Sequence, residues 1–108
     1  MNAYNTPWKL SSFGELDDLK KLVEEGVKCD EQDERGFTPL AWAARNAHIP
    51  VLTFLIEHGC SKETASFGGI RPLHHACNKN NEKAIRLLLK SGAEVNSVDE
   101  NGDSALHY

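Results

Sequence analysis

Residues 36–59 read GFTPLAWAARNAHIPVLTFLIEHG, and this stretch predicts two short helices joined by a turn. Thr38 followed by Pro39 is a strong start signal, because the Thr hydroxyl can accept from a free backbone N–H and Pro needs no donor in the first turn. The second helix, predicted from about Ile49 to Glu57, carries apolar side chains at helical spacing. Gly59 then supplies a residue that can adopt the left-handed conformation that ends helices.

The pattern recurs at an interval of 33 residues along the chain. Two series of glycines keep this interval: Gly26, Gly59 and Gly92 in the first, and Gly36, Gly69 and Gly102 in the second. The helix start also returns, as Pro72 and Leu73 one period after Pro39 and Leu40. Three independent features therefore share one period, which is the sequence signature of a repeat architecture.

The segments Thr38-Pro39-Leu40, Pro72-Leu73-His74 and Ser91–Asn96 resemble the ankyrin repeat family. The resemblance covers about residues 8–108. It implies an all-α solenoid of stacked helix pairs, with a finger-like β-turn loop projecting between successive repeats. We expect one domain with four parts: an N-terminal capping repeat (1–32), a second repeat (33–65), a third repeat (66–98) and a truncated start of a fourth (99–108).

The two ends of the predicted stack differ. Asp18 and Lys21 stand where the inner repeats carry apolar residues, as expected for an outer face that meets water. The last repeat stops at Tyr108 inside its first helix. We therefore expect a fragment of a longer protein whose C-terminal side, including Ile85, Leu88 and Leu106, lacks a complete cover and self-associates.

Composition narrows the class of partner. The 108 residues carry a net charge of −4 and show no basic face, which argues against nucleic acid and anionic lipid. No apolar run approaches the roughly 20 residues of a membrane-spanning helix, and the N-terminus does not resemble a secretory signal. These features predict a protein partner, no membrane contact and a cytoplasmic location, with the nucleus as the alternative.

The three cysteines, Cys29, Cys60 and Cys77, lack the paired spacing of a disulfide framework or a zinc site. We expect their chemistry to be silent and suited to a reducing compartment. His74, His75 and Cys77 invite a metal or nucleophile interpretation, but zinc needs four ligands and no other residue has ligand spacing. His74 also falls at the position that the family uses for a structural histidine. We therefore predict no catalytic residue, no cofactor and no metal.

Residues that differ between repeats, on fingers or first helices, are the predicted partner-binding positions. They are Glu34, Arg35, Phe37, Phe67 and Ile70 on fingers, and Trp42, Arg45, Asn46, His75, Asn78 and Lys79 on first helices. The period predicts an apolar row of Phe37 with Ile70, and an aromatic ladder of Trp42, His75 and Tyr108. Aromatic and Arg side chains on a rigid surface are typical of binding hot spots. The alternative is that these large side chains only cover the helix stems.

Asn96 is a candidate hydroxylation site. Leu88 followed at a fixed distance by Glu94, Val95 and Asn96 resembles the segment that asparaginyl hydroxylase modifies in ankyrin repeats. The alternative is that the Asn96 side chain stabilises its loop through a hydrogen bond to the backbone.

These observations favour a non-enzymatic protein-binding module that holds a partner on its concave finger and first-helix surface. The alternative is a regulatory ankyrin segment of a larger enzyme or membrane protein that acts by intramolecular docking. A third class, a small metal- or thiol-dependent enzyme, would need zinc or a strongly acidic Cys77 thiol.

Overall fold

A computed structural model describes residues 6–107 of the chain, except for the side chain of Leu106. Within these residues the helices are α1 (Pro7–Phe13), α2 (Leu16–Glu24), α3 (Pro39–Arg45), α4 (Ile49–Glu57), α5 (Pro72–Asn78) and α6 (Glu82–Lys90), followed by a 3-10 turn at Ala105–His107. Each odd-numbered helix pairs with the next one. Helix α3 packs between α1 and α5, and α4 packs against α6. The predicted all-α repeat solenoid is therefore confirmed.

The helix starts follow from local chemistry. The hydroxyls of Thr6 and Thr38 each accept the backbone N–H three residues ahead, at 3.2 Å, and a proline follows each cap. Helix α5 lacks a Thr cap, but Nδ1 of His74 accepts the backbone N–H of Arg71 at 2.9 Å. Nε2 of His74 therefore carries its proton and donates to the carbonyl of Ser97 at 3.0 Å. The structural role predicted for His74 is confirmed.

The first repeat is shorter because of its interhelical loop. Gly14 and Glu15 alone separate α1 from α2, whereas three residues separate the helices of each later pair. Gly14 takes the left-handed conformation at φ 77°, and the longer loops use Ala47 and Asn80 at φ 58° and 55°. The two helices of each repeat therefore pack against each other, although the loop of the first repeat is one residue shorter.

The core lies between the helix pairs and consists of small and branched apolar side chains. Ala43, Ala44 and Ala76 are fully buried on the first helices, and so is Leu88 on α6. The expectation that Leu88 lacks a cover is therefore wrong, because the second and third repeats close over it. The large apolar side chains left exposed near this end are Leu89, Val95 and Val98. Ile85 is partly buried and packs against the core, and the side chain of Leu106, the third residue of this expectation, lies outside the described part of the structure.

Three fingers project at one-period intervals, each closed by a β-turn. A glycine N–H donates to the carbonyl three residues back in each: Gly36 to Asp33, Gly69 to Ser66 and Gly102 to Asp99, at 2.9–3.0 Å. Neighbouring fingers also pair, since the N–H of Phe67 donates to the carbonyl of Arg35 at 3.3 Å. Gly36 has φ 81°, and a Cβ there would lie 2.9 Å from the backbone nitrogen of Phe67. Only glycine satisfies both requirements at this contact.

The cysteines depart from expectation. Cys29 and Cys60 form a disulfide, and Cys77 is free. The prediction that no cysteine pair exists is wrong, because a separation of 31 residues is close to one period and the stack brings the two loops together. Among the described residues, no helix is long and apolar enough to cross a membrane.

We expect Leu88→Ala to lower the free energy of unfolding by about 2–5 kcal/mol, because it leaves a cavity between packed repeats. Leu89→Ala removes the same atoms from a side chain that is 42% exposed and is the matched control, with a loss below about 1 kcal/mol. Urea unfolding of both variants measures the difference. Equal losses would contradict the observed placement of α6.

Candidate functional site

A groove of about 530 Å³ runs between α1 and the first finger. Its lining combines aromatic, basic and acidic side chains: Thr6, Trp8, Lys9, Ser12, Phe13, Gln32, Asp33, Glu34, Arg35 and Trp42. The chain has two tryptophans, and both line this groove. Phe13 is 61% exposed and adds apolar surface beside the two indoles of this lining. The groove is therefore the strongest binding candidate.

Asp33 fixes the wall of the groove that Trp42 forms. Its Oδ2 accepts the indole N–H of Trp42 at 2.8 Å, and its Oδ1 accepts the backbone N–H groups of Arg35 and Phe37, each at 2.9 Å. The ring of Trp42 packs on that of Phe37, with centroids 4.4 Å apart. One carboxylate therefore holds both the turn and the aromatic side chain in place.

The opposite wall is held by Trp8. Its indole N–H donates to the carbonyl of Glu31 at 2.8 Å, which ties α1 to the base of the first finger. The side-chain amide of Gln32 donates to the carbonyls of Gly36 and Ala65, both at 2.9 Å. These bonds fix the groove before any ligand arrives, which lowers the entropic cost of binding.

The predicted aromatic ladder takes a different form. Phe37 and His75 are only 9% and 7% exposed, so neither presents a surface to a partner. The Phe37 ring lies between the rings of Trp42 and His75, 4.4 and 4.5 Å from them. The side chain of Phe37 therefore points inward, toward α3 and α5, rather than toward a partner. Ile70 is half-buried, and Tyr108 lies outside the described residues.

Ser66 takes the place of Asp33 in the second finger, one period later. Its hydroxyl donates to the carbonyl of Ile70 and accepts from Nε2 of His75, both at 2.9 Å. Burial, and next the positive charge of Arg45, lowers the pKa of His75 from 6.5 to about 4. His75 is therefore neutral at physiological pH and acts as a structural donor.

The other predicted binding residues fall into an exposed group and a half-buried group. Glu34, Arg35, Phe67, Asn78 and Lys79 are exposed, whereas Arg45 and Asn46 are half-buried. The amide of Asn46 donates to the carbonyl and the hydroxyl of Ser12, at 3.0 and 3.1 Å, and so joins two repeats. Asn96 is exposed in the loop after α6, and its hydroxylation stays a prediction.

Sequence reasoning missed the contribution of the first repeat. Trp8, Lys9 and Phe13 on α1 supply half of the groove, and Gln32 supports its other wall. The one-residue deletion put this repeat out of register with the others. The Thr6-Pro7 start signal would have recovered the register, since it matches Thr38-Pro39.

Two observations bear on a metal site and on a catalytic Cys77. Among residues 6–107, the one cluster with ligand atoms close together is Cys29, Asp30 and Cys60. Its two sulfurs are bonded to each other, so they are not thiolate ligands in this structure. Burial raises the pKa of the Cys77 thiol, which disfavours the reactive thiolate.

The geometry agrees with comparison to known proteins. Residues 8–99 and 65–108 match the family described as ankyrin repeats in three copies. The chain belongs to the ankyrin repeat family. Ankyrin repeats are protein-interaction modules and are typically non-catalytic.

The relatives of this ankyrin chain are diverse. It is 40% identical over 83 residues to the 26S proteasome non-ATPase regulatory subunit 10 of Dictyostelium discoideum, covering 75% of the chain and 36% of that protein. It is 34% identical over 102 residues to mouse ankyrin repeat domain-containing protein 53, covering 90% and 20%. It is 30% identical over 102 residues to human palmitoyltransferase ZDHHC13, covering 92% and 16%. The chain thus spans 16–36% of the length of these relatives.

The depressed pKa of His75 predicts a pH-dependent stability. Between pH 6.5 and about 4 the unfolded chain protonates His75 while the folded chain does not, so stability falls as pH falls through this window. Above pH 6.5 the imidazole of His75 is neutral in both the folded and the unfolded chain, so its burial carries no protonation penalty there. We expect a loss of up to roughly 3 kcal/mol at the acid end.

His75→Gln is the control, because Gln keeps a donor for Ser66 and does not titrate. Urea unfolding at intervals across the window compares the two proteins, in which all other ionisable groups are shared. The same pH dependence in both would contradict the assignment to His75.

Proposed function

We propose that this ankyrin chain is a non-enzymatic binding module that holds a segment of a partner protein in the groove between α1 and the first finger. The observation that carries the proposal is the convergence of Trp8, Trp42, Phe13 and Arg35 on one preformed groove. Trp and Arg are the residue types most enriched at binding hot spots. Partner apolar side chains would pack between the aromatic walls, and Lys9 and Arg35 would bind carboxylate or carbonyl oxygens.

The surface extends from the groove toward the second finger and α5. Phe67 is 71% exposed and lies one finger beyond Arg35, while Asn78 and Lys79 are exposed at the end of α5. We include these residues, with Glu34, Arg45, Asn46 and Ile70, in the proposed interface. Phe37 and His75 support it from beneath.

A second function has its own support. The human palmitoyltransferase resembles this chain over 92% of the chain but only 16% of its own length, so similar repeats occur as segments of larger enzymes. A regulatory segment would dock within its own polypeptide. Two measurements separate the binding module from the regulatory segment. The mass of the natural protein shows whether the polypeptide is much longer, and a competition experiment shows whether another of its domains occupies the groove; both results together favour the regulatory role.

We place the protein in the cytoplasm, with the nucleus as the alternative, and propose neither nucleic acid nor a membrane as partner. The net charge of −4 supports the exclusion of polyanions. A second copy of the chain is a further candidate partner. Leu89, Val95 and Val98 are exposed within ten residues of each other, which supports association through this side.

We expect the two indole N–H signals in a ¹⁵N-correlated NMR spectrum to report on the groove, because both tryptophans line it. Peptides selected from a random library on the immobilised chain should shift both signals. Phe13→Ser and Arg35→Ala should each weaken peptide binding about tenfold or more.

Leu89→Ser and Lys90→Ala are the matched controls, since both side chains are exposed on α6. They should leave peptide affinity within about twofold of the original. Equal losses in folded variants of both groups would exclude the groove as the binding site.

We also expect the sedimentation coefficient to rise with protein concentration, as the apolar side chains of Leu89 and Val98 meet across two copies. Leu89→Lys with Val98→Lys should abolish this rise, and Phe13→Ser should not. A concentration-independent monomer would refute self-association through this side.

A further inference from the structure

The disulfide joins two loops that are equivalent neighbours in the stack. Cys29 follows α2 and Cys60 follows α4, and their Cα atoms lie 5.9 Å apart, within the range that disulfides span. The loops are also paired without the sulfurs, because Oδ1 of Asp30 accepts the backbone N–H of Ser61 at 2.8 Å. Breaking the disulfide therefore leaves the two thiols close together, as a reversible pair requires.

The pair is specific to the first two repeats. One period later the equivalent positions are Lys62 and Ala93, which cannot form a crosslink. The sulfur of Cys29 belongs to a half-buried residue, while Cys60 is 5% exposed. An incoming thiol or disulfide therefore reaches Cys29 first, and Cys60 acts as the resolving residue.

We propose that Cys29 and Cys60 are a reversible dithiol–disulfide modification site that locks the first repeat to the second, with a small disulfide such as oxidised glutathione as the oxidant. The thiolate of Cys29 attacks one glutathione sulfur and releases the first glutathione thiolate, giving a mixed disulfide. The thiolate of Cys60 then attacks Sγ of Cys29 and releases the second. The two cysteines lose two electrons and two protons, and oxidised glutathione becomes two molecules of glutathione.

The lock acts on the wall of the groove. Residue 29 stands two positions before Glu31, whose carbonyl accepts the indole N–H of Trp8. A crosslink at Cys29 therefore restrains the base of the first finger, and reduction frees it. Any effect on partner affinity rests on the proposed function, whereas the crosslink and its effect on stability do not.

The full chain is treated with oxidised glutathione or with dithiothreitol and digested with trypsin. Cleavage after Lys28, Arg35, Arg45 and Lys62 should yield residues 29–35 linked to residues 46–62 in the oxidised sample only. The oxidised protein should melt about 10 °C or more above the reduced one, because the crosslink closes a loop of about 30 residues. Amide exchange of residues 29–37 should be slower in the oxidised form.

Cys29→Ser with Cys60→Ala should abolish the response to dithiothreitol, and Cys77→Ser should retain it. Ala at position 60 is the residue found at the equivalent position 93, so the variant keeps a small packing side chain. The oxidised and reduced forms of the unmodified chain provide the same comparison without a substitution. A linked peptide that contains Cys77, no linked peptide, or equal melting of the two forms would overturn the proposal. If the crosslink forms in the oxidised sample but the peptides bind neither the oxidised nor the reduced chain, the result would instead count against the proposed function.

Discussion

No helix in residues 6–107 is longer than nine residues, and helices of this length are marginal in water by themselves. Each one is stable because a neighbouring repeat buries one of its faces. This requires small side chains at the contacts, which Ala43, Ala44 and Ala76 provide with complete burial. It also requires that polar groups at helix ends find partners in the next repeat. The side-chain amide of Asn81 does this by donating to the carbonyls of Ala44 and Arg45, at 3.2 and 2.7 Å.

Stacking at a fixed period lets different chemistry serve the same position. In the first finger the side chain of Asp33 accepts from the indole of Trp42, and in the second the hydroxyl of Ser66 accepts from the imidazole of His75. Both arrangements hold the turn against the first helix. The third finger again has an aspartate at this position. Oδ1 of Asp99 accepts the backbone N–H groups of Asn101 and Asp103. His75 stands one period after Trp42, so the third repeat buries a titratable imidazole where the second has an indole. Burial is the main cause of the low pKa of His75.

Local signals predicted the helices well, because a Thr-Pro start and a terminal glycine depend only on adjacent residues. Helix α3 begins at Pro39 and α4 spans Ile49–Glu57, as predicted. The burial of Phe37 was not predictable from its finger position, since it depends on the distance between successive first helices. The Cys29–Cys60 pair was missed for a related reason: the two cysteines do not occupy the same position in their repeats. Comparison of equivalent positions therefore never placed them together.

The groove exists because the first repeat fills a standard helix position with an unusual side chain. Trp8 follows the Thr-Pro start at the position of Leu40 and Leu73, both of which are buried. A tryptophan is larger than leucine and carries a polar N–H, so its ring remains half-buried and its indole reaches the carbonyl of Glu31. Phe13 occupies the position of Arg45 at the other end of the helix. The helix position that holds a buried leucine in the inner repeats thus presents aromatic surface in the first repeat. This aromatic surface faces the first finger, whose turn is held by Asp33.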